Sequence, residues 1–460
     1  MEKKVIVIGA GVTGLSAAYK LSNKDYDVTV LEASPYIGGL AGTIKKDNYL
    51  IDMGPHLFYT EDKDILDFMI RTVGEENIIT SQRDCKLHLF NRYVDYPPSA
   101  RSALLQLGLK FSILSFTSYL WSKIKYFNKE RPKKVNFEEW AIRSYGNYLY
   151  KVFFKPYTEK FWGVSCRDLA ANWADERISK LNFIKTIISL IRRKYIKHSY
   201  LLRETLPVRY PKYGYGMIPE KIYELALKEG TKVYKNYRVS KIDVLKNKYR
   251  ILCENNKKFD ADYLIVTLSP NQLTKMISRK IPENIKEISE KIKFRSLVLV
   301  AIITNKQKIL PASYVHFKGK EYHRLTESKK FSPYLCPEGE NSLWAEITCE
   351  KYDNIWNKSD PELYNLCMKD IVKDKFLKMS DVKKYFVIRI PEPYPLFLLD
   401  FEDNRKKMIE YFNKYKNLFL VGRRGNLSYI DSDQGIKSGF LIADKIINGG
   451  KGKDEPQLQE

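Results

Sequence analysis

The sequence predicts an α/β fold, and three observations support this prediction. Lys4–Ala10 is a short apolar run rich in β-branched residues, and a glycine-rich turn and a helical pattern follow it. Short apolar runs of strand length recur at Tyr263–Thr267 and Leu418–Gly422, and strand patterns with alternating residues occur at Ser296–Thr304 and Ser342–Thr348. The chain of 460 residues is long enough to bury a substantial core and to form more than one domain.

The composition indicates a globular protein and excludes several classes. Hydrophobic residues make up 44% of the chain and aromatic residues 13%, which excludes a collagen-like or disordered polypeptide. The six cysteines include no C-x-x-C pair, so a zinc ribbon is excluded and a reducing compartment is favoured. We therefore expect a cytoplasmic protein without a metal site.

The chain is strongly basic, with 79 basic and 55 acidic residues and a net charge of +24. Such a charge is typical of proteins that bind nucleic acids, anionic membranes or anionic ligands. Because the basic residues are spread along the chain, we expect no nucleic-acid binding. The apolar run after Met1–Lys4 is too short for a cleavable signal. Ala103–Trp121 is interrupted by Gln106 and Lys110, which favours a buried or interfacial helix over a membrane span.

The first strand leads into a dinucleotide-binding pattern. Gly9, Gly11 and Gly14 form a G-x-G-x-x-G motif between the strand and a helix, and the next strand ends at Glu32. In this context the first glycine permits the tight turn, the second admits a pyrophosphate, and the third lets the helix pack on the strand. Glu32 is placed to accept hydrogen bonds from a ribose. The sequence therefore predicts a Rossmann-like nucleotide-binding unit.

A second glycine pair indicates FAD as the nucleotide. Gly38 and Gly39 follow Glu32 closely and allow a second loop to run near an adenosine ribose and a flavin. The whole pattern resembles that of the flavoprotein superfamily that contains amine oxidases, protoporphyrinogen oxidase, phytoene desaturase and UDP-galactopyranose mutase. This resemblance implies FAD, and because no histidine or cysteine lies in an obvious context for a covalent link, we expect the FAD to be noncovalent.

In that superfamily the chain returns to the FAD twice more, and this sequence is similar at both returns. Pro211–Gly216 and the stretch that ends at Val239 resemble the segment that contacts the adenine. Leu418–Gly422 resembles the last strand, and Gly435 begins a helix that would face the flavin. The resemblance implies an FAD-binding fold in three pieces, a helical lobe and an antiparallel sheet lobe. The last residues are polar and lack apolar periodicity, which predicts a disordered tail. The predicted FAD-binding pieces are 1–97, 206–275 and 401–450, and the helical lobe, the sheet lobe and the tail are 98–205, 276–400 and 451–460.

Four separate segments resemble the UDP-galactopyranose mutase family in particular. They are Gly54–Thr60 (GPHLFYT), Asn136–Trp162, Tyr322–Glu327 (YHRLTE) and Gly422–Asp433. The resemblance implies that Arg324 and Arg423 bind the diphosphate of a nucleotide sugar. Guanidinium groups suit this task because they bind phosphate oxygens in a bidentate manner.

The same resemblance assigns the remaining site residues. His56 would lie beside the flavin ring, and Asp431 would be an acid near the sugar. The phenol groups that bond phosphate oxygens would be those of Tyr157, Tyr394 and Tyr429. The flat surfaces for a uracil ring would come from Phe153, Phe154 and Trp162. The aromatic residues on a helix are also compatible with a purely structural role in the core.

The segment Ala170–Tyr210 departs from the mutase pattern. It is longer than in the bacterial mutases and contains no Asn-Tyr-Phe uridine segment. Arg177 or Arg209 would replace the arginine of the mobile loop. The sugar and its carrier are therefore left open, and a lipid-linked sugar is an alternative to a nucleotide sugar.

Two apolar stretches with basic flanks suggest contact with a membrane surface. Ala103–Phe127 is followed by several lysines, and Leu181–Tyr200 contains Arg192, Arg193 and Lys194. Apolar helices with basic flanks can lie on an anionic membrane. The alternative is a helical substrate lobe with solvated lysines.

Three functions compete at this point. The first is a pyranose–furanose isomerase in cell-surface polysaccharide biosynthesis, in which N5 of the reduced flavin supplies the covalent chemistry and an external reductant such as NAD(P)H keeps the flavin reduced. The second is an oxidoreductase of the protoporphyrinogen oxidase or amine oxidase type. The third is a flavin-bearing binding protein without turnover. An arginine pair that grips a diphosphate favours the first function.

Overall fold

The computed structural model describes residues 2–96, 105–130, 132, 134–177, 207–246 and 248–449. The predicted tail at 451–460 and the apolar stretch Leu181–Tyr200 lie outside these residues. In chain order the strands are β1 Lys3–Ile8, β2 Tyr26–Leu31, β3 Thr43–Lys46, β4 Tyr49–Asp52, β5 Ile78–Ser81, β6 Cys85–Leu89, β7 Arg92–Asp95, β8 Val208–Pro211, β9 Lys232–Tyr234, β10 Val239–Val244, β11 Tyr249–Cys253, β12 Lys258–Ala261, β13 Tyr263–Val266, β14 Phe294–Thr304, β15 Tyr314–Phe317, β16 Arg324–Glu327, β17 Asn341–Cys349, β18 Val382–Pro395 and β19 Leu418–Leu420.

The helices of eight or more residues are numbered in the same way. They are α1 Val12–Ser22, α2 Lys63–Val73, α3 Leu109–Lys125, α4 Phe137–Tyr145, α5 Lys155–Trp162, α6 Met217–Lys228, α7 Glu283–Lys291, α8 Asp360–Lys373, α9 Phe401–Asn413 and α10 Ser432–Ile447. A π-helical turn, Tyr150–Phe154, leads into α5, and shorter helices occur at Asn147–Leu149, Asn172–Arg177, Pro270–Met276 and Gly422–Gly425.

A five-stranded parallel sheet organises the first part of the fold. Its strand order is β19-β13-β1-β2-β9, so its strands come from three separated stretches of the chain. The last four residues of β1 are buried because both faces of the sheet are covered. Val5 and Val7 face a core that includes α1, α6 and α10, whereas Ile6 and Ile8 face a core that includes α9.

A seven-stranded sheet forms the second part, in the order β18-β14-β17-β16-β15-β6-β7. Its neighbouring strands are antiparallel except for β15 and β6, which are parallel. The hairpin Cys85–Asp95 therefore joins this sheet and not the parallel one. The domain limits expected from the sequence stay a prediction.

The helical part contains α3, α4 and α5. In α4, the side chain of Asn136 caps the helix by accepting a hydrogen bond from the Glu139 N–H at 2.8 Å, and Gly146 ends the helix with φ = 85°. Among the described residues, no helix is long and apolar enough to span a bilayer.

Candidate functional site

The G-x-G-x-x-G turn leaves an open space at the start of α1. A Cβ atom on Gly9, whose φ is +102°, would lie 2.1 Å from Thr267 Oγ1, and one on Gly14 would lie 2.1 Å from the Gly9 carbonyl oxygen. A Cβ atom on Gly11 would meet only the Gly38 carbonyl oxygen, at 3.9 Å. Packing within the protein therefore explains glycine at positions 9 and 14 but not at Gly11. The space at Gly11 suits a pyrophosphate held at a helix N-terminus.

The second glycine loop packs directly on the first. The Gly38 N–H donates to the Ala10 carbonyl oxygen at 2.7 Å, and Gly38 and Gly39 have φ values of +98° and +55°. Both carboxylate oxygens of Glu32 accept backbone hydrogen bonds at 2.8 Å, one from Ala10 and one from Ser34. These bonds fix the carboxylate at the edge of the same space, where a ribose would lie.

The residues before β10 run beside this acidic strand end. The Tyr237 N–H donates to the Glu32 carbonyl oxygen at 2.8 Å, and the Asn236 N–H donates to that of Ser34 at 3.1 Å. Val239, which the resemblance assigns to the adenine, is the buried first residue of β10. Its contact with a nucleotide stays a prediction.

The third glycine segment closes the space from the side of α10. Gly422 has a φ of +77°, and a Cβ atom on it would lie 2.9 Å from Thr13 Oγ1. Cβ atoms on Gly435 and Gly439 would lie 3.1 Å from Thr13 Oγ1 and 2.4 Å from the Thr13 carbonyl oxygen. Helix α10 can thus approach the first turn of α1 only because these positions lack side chains. The three loops together fit a dinucleotide such as FAD.

A buried ion pair lies where the seven-stranded sheet meets this region. Arg324 on β16 and Glu346 on β17 are opposite each other in the ladder. The Arg324 Nε and Nη2 atoms donate to the two Glu346 carboxylate oxygens at 2.7 and 2.6 Å. The Glu346 side chain is fully buried and that of Arg324 is 18% exposed. Burial opposes the charge of Arg324, but the Glu346 carboxylate outweighs this effect and raises the pKa of the guanidinium.

The Gly54–Thr60 loop lies against this pair and carries His56. A Cβ atom on Gly54 would lie 3.8 Å from Glu346 Oε2 and 4.0 Å from Arg324 Nη2. The His56 ring stacks on Tyr215 with the centroids 5.0 Å apart, and its Nδ1 atom is buried without a hydrogen-bond partner among the described residues. Burial, together with Arg423 and Arg324 nearby, lowers the pKa of His56 to about 4. His56 is therefore neutral at physiological pH.

Backbone and aromatic contacts hold Arg423 in place on the other side of the site from Arg324. Its Nε and Nη2 atoms donate to the Ile430 carbonyl oxygen at 2.9 and 2.6 Å, and its guanidinium lies 4.8 Å from the Tyr429 ring centroid. Its Nη2 atom is 3.7 Å from an Asp431 oxygen. Asp431 also caps α10, because its side chain accepts from the Gln434 N–H. Arg423 therefore has a fixed position near His56 and Asp431.

Three tyrosines lie between the two arginines. The Tyr157 hydroxyl and His316 Nδ1 share a hydrogen bond of 2.8 Å. The Tyr394 ring lies 5.7 Å from the Tyr429 ring, centroid to centroid. Burial raises the pKa of Tyr157 and of Tyr394, so both keep their hydroxyl protons. Tyr394 can therefore donate a hydrogen bond to an anion without adding charge, and Tyr157 can do so when His316 Nδ1 is the donor in the bond that they share.

The other sequence-predicted substrate residues have different surroundings. Phe153 is partly buried and stacks on Tyr157 with a centroid distance of 6.2 Å. Phe154 packs on Tyr145, and Trp162, which is 2% exposed, packs on Trp173 and Phe397. The last two thus lie in an aromatic core. Arg177 ends a short helix, and its side chain lies outside the described part of the chain. Arg209, its alternative, lies on β8.

Sequence reasoning missed Glu346, the partly buried His316 and the buried His323. His316 has its pKa lowered to about 3 by burial and by Arg324. His323 has no hydrogen-bond partner at either ring nitrogen among the described residues, and its Nε2 atom is 3.8 Å from Glu346 Oε2. A signal for Glu346 was present, because a lone carboxylate within the apolar strand SLWAEITC requires a partner if it is buried.

Known proteins resemble the chain along most of its length. A family model described as flavin containing amine oxidoreductase matches residues 12–447. The coproporphyrinogen III oxidase of Bacillus subtilis (strain 168) is 22% identical in an alignment of 460 positions, gaps included, that covers 92% of this chain and 93% of that protein. A probable UDP-galactopyranose mutase of Klebsiella pneumoniae is 24% identical over 187 residues, which cover 37% of this chain and 44% of that protein.

Solved structures share the whole fold. A reduced UDP-galactopyranose mutase aligns with a TM-score of 0.81 and 21% identity, over 98% of this chain and 96% of that one. A putative protoporphyrinogen oxidase from Exiguobacterium sp. 255-15 aligns with a TM-score of 0.76 and 17% identity, over 98% and 99%. The fold class and the superfamily resemblance predicted from the sequence are confirmed, and a flavin cofactor is supported.

Replacement of Gly11 by valine is expected to remove FAD and leave the fold intact. A Cβ atom at this position meets only the Gly38 carbonyl oxygen, at 3.9 Å, so the new side chain projects into the space that suits the pyrophosphate. Flavin absorbance per protein and thermal unfolding by circular dichroism measure the two effects. The matched control is Gly14→Ala, whose Cβ would collide with the Gly9 carbonyl oxygen and should destabilise the fold itself. Full flavin content in the Gly11 variant would contradict the assignment of the space at Gly11 to a pyrophosphate.

The buried neutral state of His56 predicts a loss of stability in acid. Between pH 6.5 and about 4 the unfolded chain binds a proton at His56 that the folded protein does not. The contribution of neutral His56 to the free energy of unfolding is therefore fully present above pH 6.5 and is lost as the pH falls towards 4. His56→Phe keeps the stacking on Tyr215 and removes the titration. The decrease in the free energy of unfolding from neutral pH to about pH 4.5, measured in urea, should be smaller by about 2 to 3 kcal/mol in the variant. The same decrease in both proteins would contradict the assignment.

Proposed function

The chain belongs to the family of flavin containing amine oxidoreductases and is a flavoenzyme, and we propose that it isomerises a nucleotide-linked or lipid-linked sugar between its pyranose and furanose forms. The proposal places it in cell-surface polysaccharide biosynthesis, in the cytoplasm. FAD would be noncovalent, and an external reductant such as NAD(P)H would keep it reduced.

The observation that carries the proposal is the polar site between Arg423 and Arg324. The Arg324 charge is balanced by Glu346, whereas Arg423 is held mainly by a carbonyl oxygen and an aromatic ring. A ligand diphosphate would therefore find its counter-charge at Arg423 and neutral hydroxyl donors at Tyr157 and Tyr394. Such fixed donors suit a leaving nucleotide diphosphate, because they stabilise its developing charge without reorganising.

The protein residues would have distinct tasks in this reaction. When bound, a reduced flavin supplies a nucleophilic nitrogen for the covalent chemistry at the anomeric carbon. Arg423 and the tyrosines would hold the diphosphate, and Phe153 would offer a flat surface to a base. His56, neutral and stacked, can exchange a hydrogen bond without adding charge beside the ring. Asp431 would hold or accept a proton at the sugar.

An oxidoreductase of the porphyrinogen oxidase type is the second candidate. The coproporphyrinogen III oxidase match covers 92% of this chain, whereas the mutase match in sequence covers 37%. In this alternative Arg423 would bind a carboxylate of the substrate. The Tyr157–His316 and Arg324–Glu346 contacts make the site polar, which suits the hydroxyl groups of a sugar, whereas the ring of a porphyrinogen requires apolar surface around it.

We also propose that α3 contacts a membrane surface, while no nucleic acid is bound. One face of α3 exposes large apolar side chains, and Leu109, Trp121 and Ile124 are 66%, 67% and 70% exposed. Phe127, just beyond the helix, is 84% exposed. Basic residues flank this face at Lys110, Lys123, Lys125 and Lys129. An apolar face with basic flanks binds anionic bilayers by combining apolar burial with charge attraction.

Activity is expected only with reduced enzyme. Purified holoenzyme, oxidised or reduced with dithionite, is incubated with UDP-galactopyranose, UDP-galactofuranose and coproporphyrinogen III, and products are separated by chromatography. The proposal predicts sugar interconversion in the reduced state without net consumption of reductant or formation of peroxide. Stoichiometric peroxide with the porphyrinogen, starting from oxidised enzyme, together with inert sugars, would favour the alternative.

Vesicle sedimentation tests the membrane contact. The protein should bind phosphatidylcholine vesicles more tightly when they contain phosphatidylglycerol, and less tightly in high salt. The double variant Trp121→Ser, Ile124→Ser should lower the partition coefficient at least about tenfold, because two large apolar side chains no longer enter the lipid. Tyr352→Ser removes a side chain that is 70% exposed elsewhere and serves as the control. Equal partitioning of the double variant and the control would contradict the proposal.

A further inference from the structure

A cleft of about 420 Å³ lies away from the glycine loops. It is formed by residues at the end of β10 and the start of β11, with Lys246 and Lys248 beside them, by the loop before α7, and by the C-terminal end of α9 with the residues after it. Its volume is within the range of sites that bind small molecules, about 300–1,000 Å³.

The charges that line this cleft are all positive. None of its lining residues in the described part of the chain is acidic. Six of them are cations: Lys246, Lys248, Arg279, Lys280, Lys414 and Lys416. All six are exposed at the surface. Within that described part, only Lys248 has an acidic partner, Asp262, at 3.4 Å. Many other exposed cations of this protein are paired, such as Lys232 with Asp27 and Lys383 with Glu340.

Tyrosines fix the walls of the cleft. The Tyr249 hydroxyl donates to the Lys416 carbonyl oxygen at 2.6 Å, and the Tyr411 and Tyr415 hydroxyls share a hydrogen bond of 3.0 Å. The Arg279 guanidinium lies 6.0 Å from the Tyr415 ring centroid. Tyr249 and Tyr415 are buried, so these contacts hold the loops in place. The cations thus converge on a formed cleft and are not scattered over a flat surface.

The cleft is separate from the predicted FAD and sugar sites. Lys416 lies just before β19, and Lys248 pairs with Asp262, just before β13. These positions mark the amino ends of parallel strands, whereas Gly9 follows the carboxyl end of β1. The four residues of β13 separate the two edges by about 13 Å. A ligand in the cleft would therefore contact neither the α1 N-terminus nor Arg423.

We propose that this cleft is a second anion site, which binds a ligand carrying a phosphate or diphosphate group. Unpaired cations that repel one another are stabilised when a polyvalent anion neutralises them, and guanidinium and ammonium groups are the usual donors to phosphate oxygens. The phosphate is carried either by a free nucleotide or diphosphate or by a lipid headgroup. The inference does not depend on the reaction that the enzyme catalyses.

Lysine acetylation of the full-length holoenzyme, followed by mass spectrometry, tests the site directly. Saturating pyrophosphate, UDP, or phosphatidylglycerol vesicles are added in separate arms. The proposal predicts that at least one arm lowers the acetylation rate of Lys280, Lys414 and Lys416 about fivefold or more, while Lys369 and Lys373 on α8 react as before. Protection by the soluble anions identifies a free phosphate ligand, and protection by vesicles alone identifies a lipid headgroup. No protection in any arm, or equal protection of the α8 lysines, would overturn the proposal.

Matched variants separate this site from the active site. Arg279→Gln with Lys280→Gln should lower the affinity of the protecting ligand, measured by calorimetry, at least about tenfold and leave flavin content unchanged. Lys369→Gln with Lys373→Gln removes the same charge on α8 and should change this affinity less than twofold. An equal loss of affinity in both double variants would be evidence against a specific site. If the cleft pair fails to fold, Lys414→Gln with Lys416→Gln provides the same comparison.

Discussion

The buried ion pair between Arg324 and Glu346 is the constraint on which the candidate site depends. Glu346 is fully buried, and an unpaired carboxylate there would destabilise the fold strongly. Its pairing with Arg324 joins β16 to β17, and the Gly54 backbone approaches both side chains closely. The loop that carries His56 therefore runs beside this pair, and backbone hydrogen bonds between Phe58 and Arg209 hold it there.

The pair also decides which residue can neutralise an anionic ligand. Two N–H groups of Arg324 are already bonded to Glu346, so the pair as a whole carries little net charge. Arg423 has no bidentate carboxylate partner among the described residues, and its nearest carboxylate contact is 3.7 Å away, at Asp431. The same short stretch links the two halves of the site, because Gly422 and Gly435 on either side of Arg423 contact Thr13 on α1.

Local patterns allowed much of the fold to be predicted from the sequence. The strand before Gly9, the helix after it and the strand that ends before Glu32 are all formed, because hydrophobic period and glycine position act over a few residues. The partners of the site residues could not be predicted in this way. Arg324 meets Glu346, 22 residues away, through sheet register, and Tyr157 meets His316 across 159 residues.

The helical lobe shows a second limit of sequence patterns. Aromatic residues at helical spacing are typical both of a core and of a ligand site, and the pattern cannot distinguish them. In the structure Trp162 is enclosed by Trp173 and Phe397, while Phe153 stacks on Tyr157. Packing between separate elements, which no local pattern records, makes this difference.

Calorimetric titration of the reduced holoenzyme with UDP tests the central claim most directly. Arg423→Ala should weaken binding by about 2–4 kcal/mol, or about 30-fold to 700-fold, because a charged contact is lost from a partly desolvated site. Lys221→Ala, which breaks an exposed ion pair with Glu224 on α6, should leave the affinity unchanged. Unchanged UDP affinity in the Arg423 variant, with full flavin content, would contradict an anion site between the two arginines.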